Sequence, residues 1–179
     1  MPNSLILPSL RTLEEYEGLG NYAIKKYYTF PYRYFYRHKL QMIVDMIGSD
    51  YYYNILDLGS GPGIFLDELK KHSVRVKLAD RIEEVKDEWK FDAVVCASYL
   101  EFVDLEPILF KIHKITKRVL YVASPMKNPI TDLYYKLIGD THIRNSHSKI
   151  RGYISKRFVI TEYNTWNNLY FSLKAFPKP

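Results

Sequence analysis

The hydrophobic pattern alternates between helical and strand periods for most of the chain. Behind Pro31, the residues Tyr36, Leu40, Ile43 and Ile47 recur on one helical face, and Gly48 follows where a helix takes its left-handed closing residue. Ile55 to Leu58 read as a buried strand, followed by a turn with Gly59, Gly61 and Gly63. A helix opens at Pro62 or just after it and runs over 63–71, with Ile64, Leu66 and Leu69 inward. Val74 to Asp80 alternates and ends on an acid, and the strand opened by Phe91 is apolar on both faces, as in the middle of a parallel sheet. Leu105 to Lys117 reads as a helix with Pro107 in its first turn and Ile108, Ile112 and Ile115 inward. Val119 to Ala123 follows as a strand that Ser124-Pro125 ends. Ser146 is placed to cap a last helix carrying Ile150 and Ile154. Two alternating strands, Phe158 to Tyr163 and Leu169 to Phe176, then face each other across a short polar turn. At the other end, residues 1–10 read as an arm and 12–30 as two short helices around a Gly18–Gly20 break.

Composition narrows the class. A chain of 179 residues is about one domain, and its 47% apolar and 26% charged content is that of a globular protein with a proper core. No apolar run approaches the ~20 residues that span a bilayer, and no basic-then-apolar leader opens the chain. One cysteine, Cys96, cannot pair within the chain, which fits a reducing, cytoplasmic compartment. The formal charge of +6 admits a nucleic-acid partner, but the basic residues are spread out and read better as a solvated surface. Tyrosines, 17 in all, crowd residues 16–53 as a packing layer or a stacking platform.

The glycine turn carries the chemistry. Glycines let the backbone turn with positive φ and approach a ligand with no Cβ in the way. A turn at the carboxyl end of a parallel strand lies where open α/β sheets bind their ligands. The spacing G-x-G-x-G departs from the dinucleotide G-x-G-x-x-G, and no Lys-Ser or Lys-Thr completes a P-loop. With Asp57 two positions before Gly59, the string ILDLGSGPG resembles motif I of class I S-adenosylmethionine (SAM) dependent methyltransferases of the type 11, UbiE-like kind. The resemblance covers residues 35–176 with one gap, and implies a Rossmann-like, doubly wound, mostly parallel sheet closed by an antiparallel C-terminal hairpin strand. One domain over 1–179 then divides into a helical cap, 1–50, and a sheet core, 51–179.

By that resemblance SAM is the cofactor and S-adenosylhomocysteine (SAH) the product. Asp57, Gly59, Ser60, Gly61, Pro62 and Gly63 would hold the cofactor from motif I. Asp80 and Arg81 follow at the tip of the second strand, where a carboxylate accepts from both hydroxyls of a ribose. A second string, FDAVV followed by LEFVD, resembles the strand-four motif, whose loop Ala97-Ser98-Tyr99 faces the methionine end of SAM. Phe102 stands where many relatives have His, so no role for that histidine carries over. The absence of [DN]-P-P-[YFW] argues against methylation of an exocyclic base amine.

Between Asp80 and the next strand only Arg81 to Lys90 remain, too few for the helix, strand and helix that the family places there. The favoured reading is that the third strand is missing or a stub near Ile82–Val85. The alternative makes Asp80 part of the third strand and deletes the second. Glu84 and Asp87 are then the substitutes for the lost adenine contacts.

The segment 125–146 would lie over the pocket and choose the acceptor; it holds Tyr134-Tyr135, Asp140, His142 and Arg144, with His147 just beyond. His142, Tyr99 and Glu101 are the candidate general bases. His142 and His147 form no convincing metal set. The expected activity is methyl transfer to an O, N or C atom of a small or lipid-like acceptor. RNA or protein methylation and a non-catalytic SAM-fold module are the alternatives, with a nicotinamide oxidoreductase further off.

Overall fold

The structure, a computed structural model, describes residues 5–8, 27–137 and 145–179, and of residues 134–137 the backbone alone. In chain order the elements are α1 (Tyr32–Ile47), β1 (Tyr52–Leu58), α2 (Leu66–Lys70), β2 (Ser73–Ala79), β3 (Phe91–Ala97), α3 (Leu105–Ile115), β4 (Thr116–Pro125), α4 (Pro129–Leu137), α5 (His147–Arg157), β5 (Phe158–Trp166) and β6 (Tyr170–Pro177). They build one six-stranded sheet in the order β2-β1-β3-β4-β6-β5. β2, β1, β3 and β4 run parallel, and β6 enters antiparallel between β4 and β5.

The two-residue period of the strands sorts their side chains onto two faces. Ile55, Ala93, Val95, Val119 and Tyr121 pack under α1, with Leu40, Ile43 and Ile47 pressed onto them. Leu56, Leu58, Val94, Cys96, Leu120 and Val122 point the other way, into a core closed by Leu109 and Ile112 of α3 and Ile150 and Ile154 of α5. Each fully buried Leu or Ile of these layers stabilises the fold by roughly 1.5–3 kcal/mol. The same parity puts Asp57, two residues after Ile55, on the α1 side of the sheet.

The trimmed middle takes a definite form. After β2 the chain makes only a short 3₁₀ turn, Ile82–Glu84, before β3, so among the described residues the sheet has no strand beyond β2. β2 pairs directly with β1, which rules out the alternative in which Asp80 belonged to the third strand. Ile82 and Val85 plug the core at 3% and 1% exposure, anchoring the shortcut. β2 thus becomes an edge strand, and its Arg75 and Lys77 cover the open side; the Lys77 ammonium lies 4.2 Å from the Trp89 ring centroid. Charged side chains on an edge discourage pairing with another chain.

Several boundaries differ from the sequence reading. The helix expected over 63–71 is reduced to Leu66–Lys70, because the three glycines hold 60–65 in successive turns; Phe65 is buried in place of Leu66. The helix expected to reach Lys117 stops at Ile115, since Thr116 already pairs with Phe91 in the sheet. Helix α4 lies inside what read as a loop, opened by Asn128, whose Oδ1 accepts from the N–H groups of Ile130 and Thr131. Ser146 caps α5 as expected, its Oγ accepting from Lys149 N. The two short helices expected over 12–30 lie almost wholly outside the described residues.

Candidate active site at the carboxyl ends of β1, β2 and β3

Motif I closes β1 with a turn that only glycines fit easily. Gly59, Gly61 and Gly63 have φ of 78°, 50° and 71°. A Cβ on Gly59 would lie 2.9 Å from Tyr99 Cβ, whereas one on Gly61 would meet nothing within 4 Å, leaving the backbone open there. The turn is tied to β2 by Gly59 N, which donates to Ala79 O at 2.7 Å. Ser60 Oγ reaches Asp80 Oδ1 at 3.4 Å, so motif I and the acid at the end of β2 share one rim.

Beneath this rim sits a buried charge cluster. Asp57 is 2% exposed; burial pushes its carboxyl up to about 7, against the pull of Lys39 and with a further push from Asp80. Its Oδ2 has no hydrogen-bond partner among the described residues. Glu101, fully buried, accepts from Ser124 Oγ at 2.6 Å through Oε2, while Oε1 is also without a partner. Burial raises the Glu101 pKa, and hydrogen bonding and Lys39 offset part of that. Lys39, 1% exposed, reaches in from α1 and donates from Nζ to Ser98 Oγ at 2.6 Å. Ser98 is held at φ 61° and its N donates to Ala123 O. A non-glycine residue in that region stores strain of about 1–3 kcal/mol, which the packing around it must hold.

Tyr99 covers Gly59 with its ring, and its hydroxyl accepts from Ile82 N at 3.2 Å. Burial pushes the phenol up to about 12. On the other side of Tyr99, a cleft of about 650 Å³ opens between Asp80, Arg81, Phe102, Val103 and Pro107. Glu84 lies nearby, accepting from Asp80 N at 3.3 Å. Asp87 does not, because Lys114 and Lys111 of α3 hold its carboxylate at 2.9 and 3.3 Å.

The structure therefore brings together Asp57, Gly59, Ser60, Gly61, Pro62, Gly63, Asp80, Arg81, Ala97, Ser98, Tyr99 and Glu101 at one end of the sheet. His142, with Asp140 and Arg144, lies outside the described residues, and His147 starts α5 beside Phe171. Sequence reasoning missed Lys39, Tyr27 and Ser124. Lys39 carried a readable signal: it is the one charge inside the apolar stripe of α1, between Tyr36 and Ile43. The Tyr27 ring lies tilted against Tyr36 with centroids 5.1 Å apart, and burial, Asp57 and Glu101 all raise its phenol pKa.

No family model matches the chain, and a search of curated proteins finds no match. Solved structures do match. The N-methyltransferase NodS from Bradyrhizobium japonicum, bound to SAH, superposes with a TM-score of 0.65 at 15% identity, over 94% of this chain and 98% of that one. The 1,6-didemethyltoxoflavin-N1-methyltransferase of Burkholderia thailandensis, with bound 1,6-didemethyltoxoflavin and SAH, gives 0.63 at 10% identity, over 99% of this chain and 94% of that one. The magnesium protoporphyrin IX methyltransferase of Synechocystis, with SAH, gives 0.53 at 14% identity, over 90% of each chain. The fold is that of the class I SAM-dependent methyltransferases.

Proposed function

We propose that this chain is a SAM-dependent methyltransferase for a small-molecule acceptor, and that SAM lies across the carboxyl ends of β1, β2 and β3. The observation that carries the reading is the pair of buried, unpartnered oxygens, Asp57 Oδ2 and Glu101 Oε1, facing a buried ammonium beneath a glycine turn open at Gly61. Leaving such atoms unsatisfied costs about 1–3 kcal/mol each. The α-amino group of SAM has the right charge to satisfy Asp57, which leaves Glu101 Oε1 to the acceptor. Similar folds that hold SAH support the same reading.

In this account Gly59, Ser60, Gly61, Pro62 and Gly63 admit the cofactor backbone to backbone. Asp80 accepts from the ribose hydroxyls, with Arg81 beside it. Tyr99, Phe102 and Val103 wall the adenine in the cleft that replaces the missing strand. Ala97 and Ser98 border the methionine end, and Lys39 holds its carboxylate. SAM supplies an electrophilic methyl group, so the protein's task is to align the acceptor and exclude water. Glu101 is the candidate to orient or deprotonate the acceptor, since burial makes its carboxylate a stronger base. His142 is a second candidate by its place in the sequence. The Tyr99 hydroxyl is engaged with Ile82, so we assign Tyr99 to the cofactor wall. The chain is taken as one domain, with 1–50 as its cap, acting in the cytoplasm.

The test is SAH formation from SAM in the presence of primary amines, phenols and lipid extracts, read by mass spectrometry. Acceptor-dependent SAH with an added methyl group on one of them supports the reading. SAM binding without turnover on any of these would favour a non-catalytic module.

A further inference from the structure

An apolar and basic rim lies at the same end of the sheet as this site, on its β4 and β6 side. At the start of α1, Phe30 and Tyr34 are 76% and 60% exposed, and Arg33 and Arg37 stand one turn apart beside them. Together with His38 they line a cleft of about 400 Å³. The rim continues through Trp166, whose ring lies 5.4 Å from Tyr34 and 4.1 Å from His38. Trp166 leads into the Asn167–Asn168 turn between β5 and β6, and Asn168 O accepts from Asn128 Nδ2 at 2.5 Å. Asn128 opens α4, which presents Ile130 and Leu133 at 70% and 58% exposure. That hairpin turn stands at the carboxyl end of β4, because Tyr170 pairs with Pro125.

We propose that this rim docks the protein on an anionic lipid bilayer, with the mouth of the site turned toward the membrane. Aromatic side chains with an apolar body and a polar tip settle at the headgroup level, and exposed Ile and Leu insert beside them. The α1 side is complementary in charge, with Arg33 and Arg37 and no acid on α1 before Asp45, while α4 carries one acid, Asp132, between Ile130 and Leu133. Each Lys or Arg near an anionic surface strengthens binding about fivefold. Among the described residues no helix is long and apolar enough to cross a membrane, so the attachment is peripheral. The docking stands apart from the methyltransferase reading. If that reading also holds, a lipid-soluble acceptor reaches the site without crossing water.

The experiment is sedimentation of the full chain with vesicles of phosphatidylcholine alone or with equal parts of phosphatidylglycerol, at low and high salt. Binding only to the anionic vesicles, weakened by salt, is expected. The Arg33→Gln/Arg37→Gln variant is expected to lose about 25-fold in affinity. Ile130→Ser/Leu133→Ser tests the apolar half and removes no packing from the core. Unchanged melting temperatures show that both variants fold. Equal binding to both vesicle types, no binding, or loss to neither variant overturns the proposal. Capture of single-stranded RNA in place of vesicles, sensitive to the same arginines, would assign the rim to nucleic acid and overturn it as well.

Discussion

Lys39 and Ser98 are 59 residues apart in the chain, yet Lys39 Nζ donates to Ser98 Oγ at 2.6 Å. One lies on the helix that precedes the first strand, the other in the loop that ends the third. Their contact fastens α1 across the carboxyl end of the sheet and brings a cation to bear on Asp57 and Glu101. The cluster thus carries charge of both signs with two carboxylate oxygens unpartnered, the arrangement a ligand ammonium and an acceptor would complete.

Lys39→Met removes the cation that offsets buried Asp57 and Glu101 and should destabilise the fold by about 3–5 kcal/mol, less where the carboxyls take up protons, so the variant is titrated below its melting temperature. SAH affinity should fall more than about tenfold, the worth of a charge-assisted hydrogen bond. Calorimetric titration checks it. Unaltered affinity would mean that Lys39 only braces α1.

Asp57 gives the site a pH dependence. Its folded pKa of about 7 lies above the ordinary carboxylate value, so the folded state holds a proton that the unfolded chain has lost. Stability without ligand should therefore fall as pH rises from about 4 to 7 and level off above. A ligand ammonium favours the ionised form, so SAH binding should weaken about tenfold from pH 8 to pH 6 and release a proton. Lys39→Met should move that profile to higher pH. Titrations in buffers of different ionisation enthalpy detect the proton; no buffer dependence at pH 6 would contradict it.

The glycines of motif I should respond unequally. Gly59→Ala combines a positive φ with a clash against Tyr99, and should lower stability by about 3 kcal/mol. Gly61→Ala meets nothing and should cost about 1 kcal/mol, yet place a methyl where the ligand must approach. Denaturant melts and SAH titration of both separate strain from binding.

Tyr99→Phe leaves the buried Ile82 N–H without its acceptor and should destabilise by about 1–3 kcal/mol. At saturating SAM the turnover should hold, because a phenol pushed up to about 12 is protonated at neutral pH. A collapse of kcat with intact folding would make Tyr99 catalytic.

Asp80→Ala should leave the melting temperature within about 2 °C, since its side chain is exposed and reaches Ser60 at 3.4 Å. SAM affinity should drop while SAM still competes with SAH.

Much of this was legible in the chain because local patterns specified it. The α1 stripe, the glycine turn, the acid ending β2 and the shortened 81–90 segment each depend on residues near one another, and the mostly parallel sheet with its antiparallel hairpin came from the resemblance those motifs carry. Helix α4 was not anticipated: no element was read within 125–146, and its Ile130 and Leu133 face outward, which hides the helical period. Lys39 left a local trace as a charge inside the α1 stripe, but the partner that gives the trace its meaning, Ser98, lies 59 residues away. Ser124 looked like a strand terminator, whereas its hydroxyl is the donor that holds Glu101.

The central claim is a SAM pocket, and thermal unfolding with SAH, SAM and NAD in parallel tests it most directly. A ligand at 100 times its Kd stabilises by about 2.7 kcal/mol, so SAH and SAM should raise the melting temperature by several degrees and NAD should not. No shift with SAH or SAM at millimolar concentration would contradict the account: the shortened chain would then have kept the fold and lost the cofactor.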